Sequence, residues 1–168
     1  SDVYKRQILV NFLKTNKENL KGIFYIHHGM AEHIERYDYV AKKLNNHGYS
    51  VAGYDQLGHG CNQAEGKGIF AKSDGWNKVI KEATAVSNHF YNLYPSSPSY
   101  LLGHSMGSFI SMNVANNIKN LKGIFLTGTY LPTKIEIYLL KFLLRFESLF
   151  SSRNNVSRVH KINFQRLT

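Results

Sequence analysis

The chain has 168 residues, of which 43% are hydrophobic and 19% are charged, and this balance excludes an intrinsically disordered protein. Lysine and arginine outnumber aspartate and glutamate by 21 to 11, which gives a formal net charge of +10. The basic residues are scattered, without a basic helix or an aromatic-interleaved patch, so we expect no nucleic-acid partner.

Strand-like segments recur along the chain and are separated by segments with helical spacing. Mostly apolar segments predict strands at 8–13, 22–27, 50–54, 100–102 and 121–127, and residues 23–26 form a continuous apolar run. Strands that alternate with helices indicate a parallel sheet with right-handed crossover connections, and hence an α/β fold.

Three segments between the strands predict helices. The first begins near Tyr37 and is ended by Gly48. The second is capped by Ser73-Asp74 and stopped by Pro95. The third follows Gly107 directly. The predicted apolar face of the second helix consists of Trp76, Val79, Ile80, Ala83, Val86, Phe90 and Leu93.

The segment Gly103-His104-Ser105-Met106-Gly107 lies between a predicted strand and a predicted helix. A Gly-x-Ser-x-Gly sequence in this context is typical of a nucleophile elbow, a sharp turn that raises a serine above the end of a sheet. The turn holds its serine at positive φ, and a Cβ on either glycine would collide with the adjoining strand or helix. Ser105 is therefore the predicted catalytic nucleophile.

The strand at 22–27 runs into His28-Gly29-Met30. In serine hydrolases with an elbow, one oxyanion-hole N–H belongs to the residue after the nucleophile and the other to a His-Gly loop that follows an earlier strand. This predicts Met106 and Met30 as the two donors, with His28 and Gly29 shaping the loop. Such a donor is worth about 3–4 kcal/mol of transition-state stabilisation.

Polar residues near these motifs are expected to have structural roles. Asp55 precedes the serine, so we expect it to hydrogen-bond the Gly58-His59-Gly60 turn rather than to act as a triad acid. Glu32, His33 and Arg36 are expected to form a polar network that holds the loop after the strand at 22–27. Four histidines lack metal-site spacing and are expected to bond to backbone groups, namely His27, His28, His59 and His104. We predict neither a metal nor a cofactor.

Three motifs together carry a family resemblance. Residues 28–37 read HGMAEHIERY, residues 55–60 read DQLGHG and residues 103–108 read GHSMGS. Over about residues 20–129 the chain closely resembles the monoacylglycerol lipase and lysophospholipase group of α/β-hydrolases, the serine aminopeptidase S33-like hydrolases. Cys61-Asn62 departs from the Ser or Thr that is usual after Gly-His-Gly, and the fold expectation is unaffected.

The resemblance implies an α/β-hydrolase fold with a mostly parallel sheet, incomplete because its last strands are missing. Residues 1–7 show neither an apolar pattern nor the resemblance and are expected to be a non-native leader, or else a genuine polar N-terminus. Residues 8–129 would form the partial core. Residues 130–168 would form a truncated cap whose apolar helix covers the site, although a simple buried helix has the same pattern.

The triad of this fold runs in the order Ser, Asp or Glu, then His. After Ser105 the chain has no aspartate, and Glu136, Glu147 and His160 lie in segments unlike strand ends. We therefore expect the triad acid and base to lie beyond the end of the chain, and the 168 residues to be inactive alone. The strand near Ile124 should then present an open apolar edge and make the chain poorly soluble.

The predicted function is that of a serine carboxylester hydrolase that acts on monoacylglycerol or lysophospholipid-type esters through an acyl-enzyme. A peptidase or amidase on the same fold is one alternative, because fold does not fix substrate. A catalytically dead binding module that kept the elbow is another. The predicted partner is a small acyl ester or lipid substrate, and no protein partner can be inferred.

The positive charge and the single cysteine give information about where in the cell the protein acts. A basic surface favours transient contact with anionic membrane head groups, although a lysine- and asparagine-rich composition without a partner gives the same charge. Cys61 allows no internal disulfide and favours a reducing compartment, so we expect a cytoplasmic protein. Residues 135–150 are too short for a membrane span and contain four charged residues, Glu136, Lys141, Arg145 and Glu147.

Overall fold

The computed structural model describes residues 20–130 and residue 133. The chain divides into two compact units, 1–129 and 130–168, and the elements below all belong to the first. The predictions for residues 1–7, for the strand at 8–13 and for the cap helix at 135–150 lie outside the described residues. The elements, in chain order, are β1 (Gly22–His27), α1 (Asp38–Asn46), β2 (Tyr49–Gly53), α2 (Gly75–Leu93), β3 (Ser99–His104), α3 (Met106–Val114) and β4 (Leu121–Thr127).

The four described strands form one parallel sheet in the order β2-β1-β3-β4. β1 is a central strand, and it pairs Gly22 with Tyr49 of β2 and His27 with Gly103 of β3. All six residues of β1 are buried, as expected for a strand that is covered on both faces. Parallel pairing places the carboxyl ends of β1 and β3 at the same edge, so the loop at 28–30 and the turn at Ser105 are neighbours.

Hydrophobic side chains cover both faces of the sheet, because successive residues of a strand point to opposite sides. Ile23 and Tyr25 of β1 pack with α2 and α3 on one face. Phe24 and Ile26 pack on the other face with Ala41 of α1. Full burial of one such side chain stabilises the fold by about 1.5–3 kcal/mol.

The helix predictions are confirmed in position, with corrections at the ends of α2. Asp74 occupies the N-cap position, but its φ is +54° and its side chain makes no capping hydrogen bond. Its carboxylate accepts instead from the Asn77 side-chain amide at 2.6 Å. Trp76 and Leu93 were predicted on the apolar face and are 37% and 54% exposed. At about 28 Å, this 19-residue helix is longer than the strands beneath it, which span about 20 Å, so its ends extend past the sheet.

Within the described part of the chain, β4 is the outer strand beside β3. Its side chains at Ile124, Phe125 and Leu126 are 40%, 50% and 37% exposed. The prediction of an exposed apolar strand near Ile124 is therefore confirmed for the described residues. In that same part of the chain, no helix combines the length and the apolar character that crossing a membrane requires.

A cluster of buried polar atoms lies between β2, α2 and the loop after β2. Tyr54 Oη, Asn62 Oδ1 and Glu82 Oε2 are buried without a hydrogen-bond partner among the described residues. The Asn62 side-chain amide donates to Glu82 Oε1 and to the Asp55 carbonyl, each at 3.0 Å. Burial raises the pKa of Glu82 to about 7, against opposing hydrogen bonds from Asn62 and from the Leu57 backbone.

The raised pKa of Glu82 predicts that the protein loses stability as the pH rises from about 4.5 to about 7. Because the folded pKa lies above the ordinary 4.5, the stability that Glu82 contributes is complete below pH 4.5 and is lost as the pH rises through 7. The loss is at most on the order of 3 kcal/mol. We expect the free energy of unfolding, measured by denaturant titration, to fall between pH 4.5 and about pH 7.5 in the wild type and then to level off, and this fall to be absent in Glu82→Gln.

The exposed Glu65 provides a matched control. Its carboxylate is partly solvated and lies 3.7 Å from Lys72. Glu65→Gln should retain the fall in stability between pH 4.5 and about pH 7.5 that the wild type shows. Equal pH profiles for the wild type and Glu82→Gln would show that the buried carboxyl does not titrate in this range.

Candidate active site

Ser105 occupies the turn between β3 and α3 with φ +50° and ψ −115°, which confirms the predicted positive-φ conformation. Such a conformation costs a non-glycine residue on the order of 1–3 kcal/mol, so its neighbours have to hold it. The Ser105 amide donates to the Thr127 carbonyl, and the Ser105 carbonyl accepts from the Ser108 amide, both at 2.9 Å. Its half-buried hydroxyl makes no capping hydrogen bond to α3, although Ser105 is the N-cap residue.

The two glycines of the turn are required by close backbone packing. A Cβ on Gly103 would lie 2.6 Å from Ser111 Oγ. A Cβ on Gly107 would collide with the carbonyl oxygen of His27 at the end of β1. The predicted steric reason for both glycines is confirmed, and the contact at Gly107 brings the first turn of α3 directly onto β1.

Met106 is the first residue of α3. The first N–H groups of a helix have no partner within it, and together with the helix dipole they favour negative charge at this end. The Met106 side chain is buried in the core between the sheet and α3, so its backbone is fixed. The predicted donor therefore lies at a helix N-terminus, immediately after the serine.

The loop after β1 is held by side chains on both sides of Gly29. The Gly29 amide donates to Glu32 Oε2 at 2.8 Å. His28 Nε2 accepts from the Gln56 amide at 3.1 Å, so His28 Nδ1 carries the proton and donates to the Gly29 carbonyl at 2.8 Å. That carbonyl belongs to the same planar peptide as the Met30 N–H, so its hydrogen bond also fixes the direction of the Met30 N–H.

The loop and the turn lie side by side. A Cβ on Gly29 would lie 3.2 Å from Cδ2 of His104, the residue before Ser105. His27 and Gly103 are paired across β1 and β3 one step earlier. The structure thus brings the predicted segments at 28–30 and 103–107 together. The Met30 side chain is 46% exposed.

The histidine prediction is confirmed for two residues and wrong for two. His28 bonds to the Gly29 carbonyl and His59 bonds to the Leu57 carbonyl at 3.0 Å. His27 and His104 bond instead to hydroxyls, on Ser111 at 2.8 Å and on Thr127 at 3.0 Å. Their rings face α3 and β4, where these hydroxyl side chains meet them.

Glu32 is the centre of the network around the loop. Its carboxylate also bonds to Arg36 Nη1 at 2.9 Å and accepts from the Tyr37 hydroxyl at 2.9 Å. Burial opposes the charged form, but the Gly29 amide, the Tyr37 hydroxyl and the Arg36 charge outweigh it and hold the pKa of Glu32 below its ordinary value.

The prediction for this network is correct for Glu32 and Arg36 and wrong for His33. His33 is extended and 47% exposed, and it lies 4.0 Å from Glu35 instead. The sequence did not predict that Tyr37 joins this network. Tyr37 fits an apolar helical pattern, and that pattern says nothing about the partner of its hydroxyl. Burial, followed by the Glu32 hydrogen bond, raises the pKa of that hydroxyl.

Asp55 has a structural role, as the sequence predicted, but its hydrogen bond is to Cys61, one residue beyond the predicted Gly58-His59-Gly60 turn. Its Oδ2 accepts from the Cys61 amide at 2.8 Å, and it packs against the backbone of Gly60. Its Oδ1 accepts from the Ile34 amide at 2.8 Å, a link that the sequence did not reveal. One carboxylate therefore joins the segment after β1 to the turn after β2.

The residues considered for the rest of a triad, Glu136, Glu147 and His160, lie outside the described part of the chain. Within residues 20–130 and residue 133, the Ser105 hydroxyl makes no hydrogen bond with a histidine. The described geometry therefore consists of a serine at a strained turn, a helix N-terminus and an oriented loop peptide. This arrangement can direct amide hydrogens toward an anion that forms beside the serine.

The close contact at Gly107 predicts that adding a single methyl group at this position will strongly destabilise the fold. Gly107→Ala should lower the free energy of unfolding by about 3 kcal/mol or more, because a main-chain carbonyl cannot move aside as a side chain can. Gly123→Ala is the control, since its Cβ would meet the Tyr100 ring at 3.3 Å. That variant should change stability by less than about 1 kcal/mol. Comparable losses in denaturant titrations would contradict the backbone contact.

The chain is similar in sequence and in fold to known proteins. It is 35% identical over 101 residues to a monoglyceride lipase homolog of Monkeypox virus, across 60% of this chain and 35% of the relative. It is 34% identical over 95 residues to the monoglyceride lipase of Rattus norvegicus, across 56% of this chain and 30% of that protein. A carboxyl esterase from Bacillus coagulans, solved in complex with glycerol, superposes with a TM-score of 0.62 at 27% identity, across 76% of this chain and 42% of that one.

The chain spans about a third of the length of the curated relatives that it matches. The predicted resemblance to monoacylglycerol lipase-like α/β-hydrolases is confirmed by these relatives and by the shared fold. A family model described as serine aminopeptidase, S33, matches residues 18–168, which is most of the chain. The chain therefore belongs to the serine aminopeptidase S33 family and has an α/β-hydrolase fold.

Proposed function

We propose that the protein is a serine carboxylester hydrolase, that Ser105 is its nucleophile, and that monoacylglycerols or lysophospholipids are its substrates. The observation that carries the proposal is the conformation of Ser105, a non-glycine residue with φ +50° at the junction of β3 and α3. Strained backbone of this kind persists where surrounding structure fixes it, and it clusters at active sites.

The neighbouring amides support acyl transfer. Ser105 Oγ would attack the acyl carbonyl carbon, and the carbonyl oxygen would become an oxyanion held by the Met30 and Met106 N–H groups. His28, Gly29, Gly103, His104 and Gly107 serve this geometry as supporting residues, since each packs at the turn or orients the loop beside it.

The chemistry proceeds in two stages. A general base takes the Ser105 proton during attack and returns it to the departing alcohol, which leaves an acyl-enzyme. Water then attacks the acyl carbonyl under the same base and releases the carboxylic acid. We assign the base to no described residue, because none of the described histidines reaches the Ser105 hydroxyl.

The substrate class is supported by the similar proteins. Of two relatives above 30% identity, one is a monoglyceride lipase and the other is named a monoglyceride lipase homolog, and a structural neighbour at 27% identity is a carboxyl esterase in complex with glycerol. A glyceryl ester is therefore the favoured substrate. The formal charge of +10 favours the lysophospholipid alternative, because a basic surface attracts anionic head groups and would give transient contact with a membrane surface.

Peptide or amide cleavage is the second candidate, and the description of the family as a serine aminopeptidase favours it. Both reactions use the same nucleophile and oxyanion stabilisation, so they differ in the leaving group. Hydrolysis rates on a 1-monoacylglycerol, a lysophosphatidylcholine and an aminoacyl p-nitroanilide, measured on the protein in its natural full length, separate them. A faster rate on the anilide would contradict the ester proposal.

Removal of the nucleophile should abolish the reaction. Ser105→Ala in the full-length protein should lower kcat on p-nitrophenyl butyrate by a factor of at least about 10⁴, because the acyl-enzyme cannot form. Labelling by a fluorophosphonate should disappear with it. Ser87→Ala is the control, because Ser87 is a buried serine on α2 whose hydroxyl bonds to the Thr84 carbonyl.

The control variant should keep both activity and labelling. A full-length wild type that binds a monoacylglycerol but neither hydrolyses it nor reacts with the fluorophosphonate would contradict the proposal and indicate a binding module that has lost catalysis.

A further inference from the structure

A buried histidine–serine pair joins β1 to α3 beneath the turn that carries Ser105. His27 is the last residue of β1 and is 2% exposed, and Ser111 lies in α3 and is 0% exposed. His27 Nδ1 and Ser111 Oγ are 2.8 Å apart, although 84 residues separate them in the sequence. The distance is that of a hydrogen bond, and burial shields the bond from solvent.

The pair lies against both glycines of the turn. A Cβ on Gly103 would lie 2.5 Å from the Gly107 carbonyl oxygen and 2.6 Å from Ser111 Oγ, and a Cβ on Gly107 would strike the His27 carbonyl. His27 also pairs with Gly103 in the sheet register. The hydrogen bond therefore fixes α3 to the end of β1 where both elements meet the turn at Ser105.

We propose that His27 and Ser111 are positioning residues whose hydrogen bond sets the separation between the Met30 and Met106 amides. The inference rests on the proposed function. Met30 follows β1 and Met106 begins α3, so the spacing of their amides depends on how α3 sits against the strand. A displacement of a fraction of an ångström would weaken one donor, because hydrogen bonds to an oxyanion depend steeply on distance and angle.

The chemistry of the pair suits a permanent link. Burial, followed by the repulsion that a protonated His28 would exert, lowers the pKa of His27 to about 3, so the ring is neutral near neutral pH. A neutral imidazole nitrogen either donates or accepts, and a serine hydroxyl does both, so the bond forms in either tautomer. It therefore does not break on titration near neutral pH.

The test compares two buried serines in the full-length protein. Ser111→Ala should lower kcat on p-nitrophenyl butyrate by about 10-fold to 100-fold with KM within about twofold, as expected when an interaction made in the transition state is impaired. Ser87→Ala, on α2 and 3% exposed, should keep kcat within about twofold of the wild type. The two variants should lose similar amounts of thermal stability. Equal kcat values in the two variants would overturn the inference.

A double variant tests the pair itself. His27→Leu combined with Ser111→Ala replaces both polar partners by apolar groups, which removes the cost of an unpaired buried imidazole and keeps the protein folded if a single variant unfolds. The kcat of the double variant should be close to that of Ser111→Ala, because each change breaks the same bond. A double variant whose kcat falls well below that of Ser111→Ala would overturn the inference.

Failure of the pair can be told apart from failure of the proposed function. A wild type that does not hydrolyse the ester, with Ser105 unlabelled by a fluorophosphonate, overturns the proposed function and this inference together. An active wild type whose Ser111→Ala variant behaves like Ser87→Ala overturns the positioning pair alone.

Discussion

The backbone contact between the first turn of α3 and the end of β1 is the constraint on which the site depends. Gly107 lies so near the His27 carbonyl that no Cβ fits between them. With no side chain in this space, the helix N-terminus lies directly over the strand end, and Ser105 is forced into a turn with positive φ. Sheet pairing between His27 and Gly103 holds the same junction from the other side.

Around this junction, side chains replace the backbone pairing that irregular segments lack. Glu32 takes the Gly29 amide, and Asp55 takes the amides of Ile34 and Cys61. Buried amides without partners are costly, and a hydrogen bond to a charged group contributes about 1.5–3 kcal/mol. Two carboxylates thus stabilise three loop amides.

Local features of the sequence were enough to predict the sheet and the turn. β1 and β4 were predicted at their observed bounds, because each contains a run of apolar residues, IFYI in β1 and IFL in β4. The conformation of Ser105 was predictable as well, since two glycines at fixed spacing around a serine have a steric meaning that does not depend on distant residues.

Contacts between distant segments could not be predicted in this way. The bond between His27 and Ser111 spans 84 residues, and neither residue stands out in its own segment. The hydroxyl of Tyr37 gave no signal because the ring fits an apolar helical face. The burial of Glu82 depends on how α2 lies against the loop after β2, which periodicity does not reveal. Each of these features depends on how the helices and loops pack against the sheet in the folded protein.

The two hydrogen bonds that hold Gly29 in place affect the free energy of ligand binding. The peptide before Gly29 is held at its N–H by Glu32, and the peptide after Gly29 is held at its C=O by His28, so the Met30 N–H in that second peptide has already lost its rotational freedom. A group that is ordered during folding adds little entropic penalty later, when an acceptor arrives. The entropic cost of ordering the Met30 N–H is therefore part of the free energy of folding. Binding of an acyl group does not add this cost again.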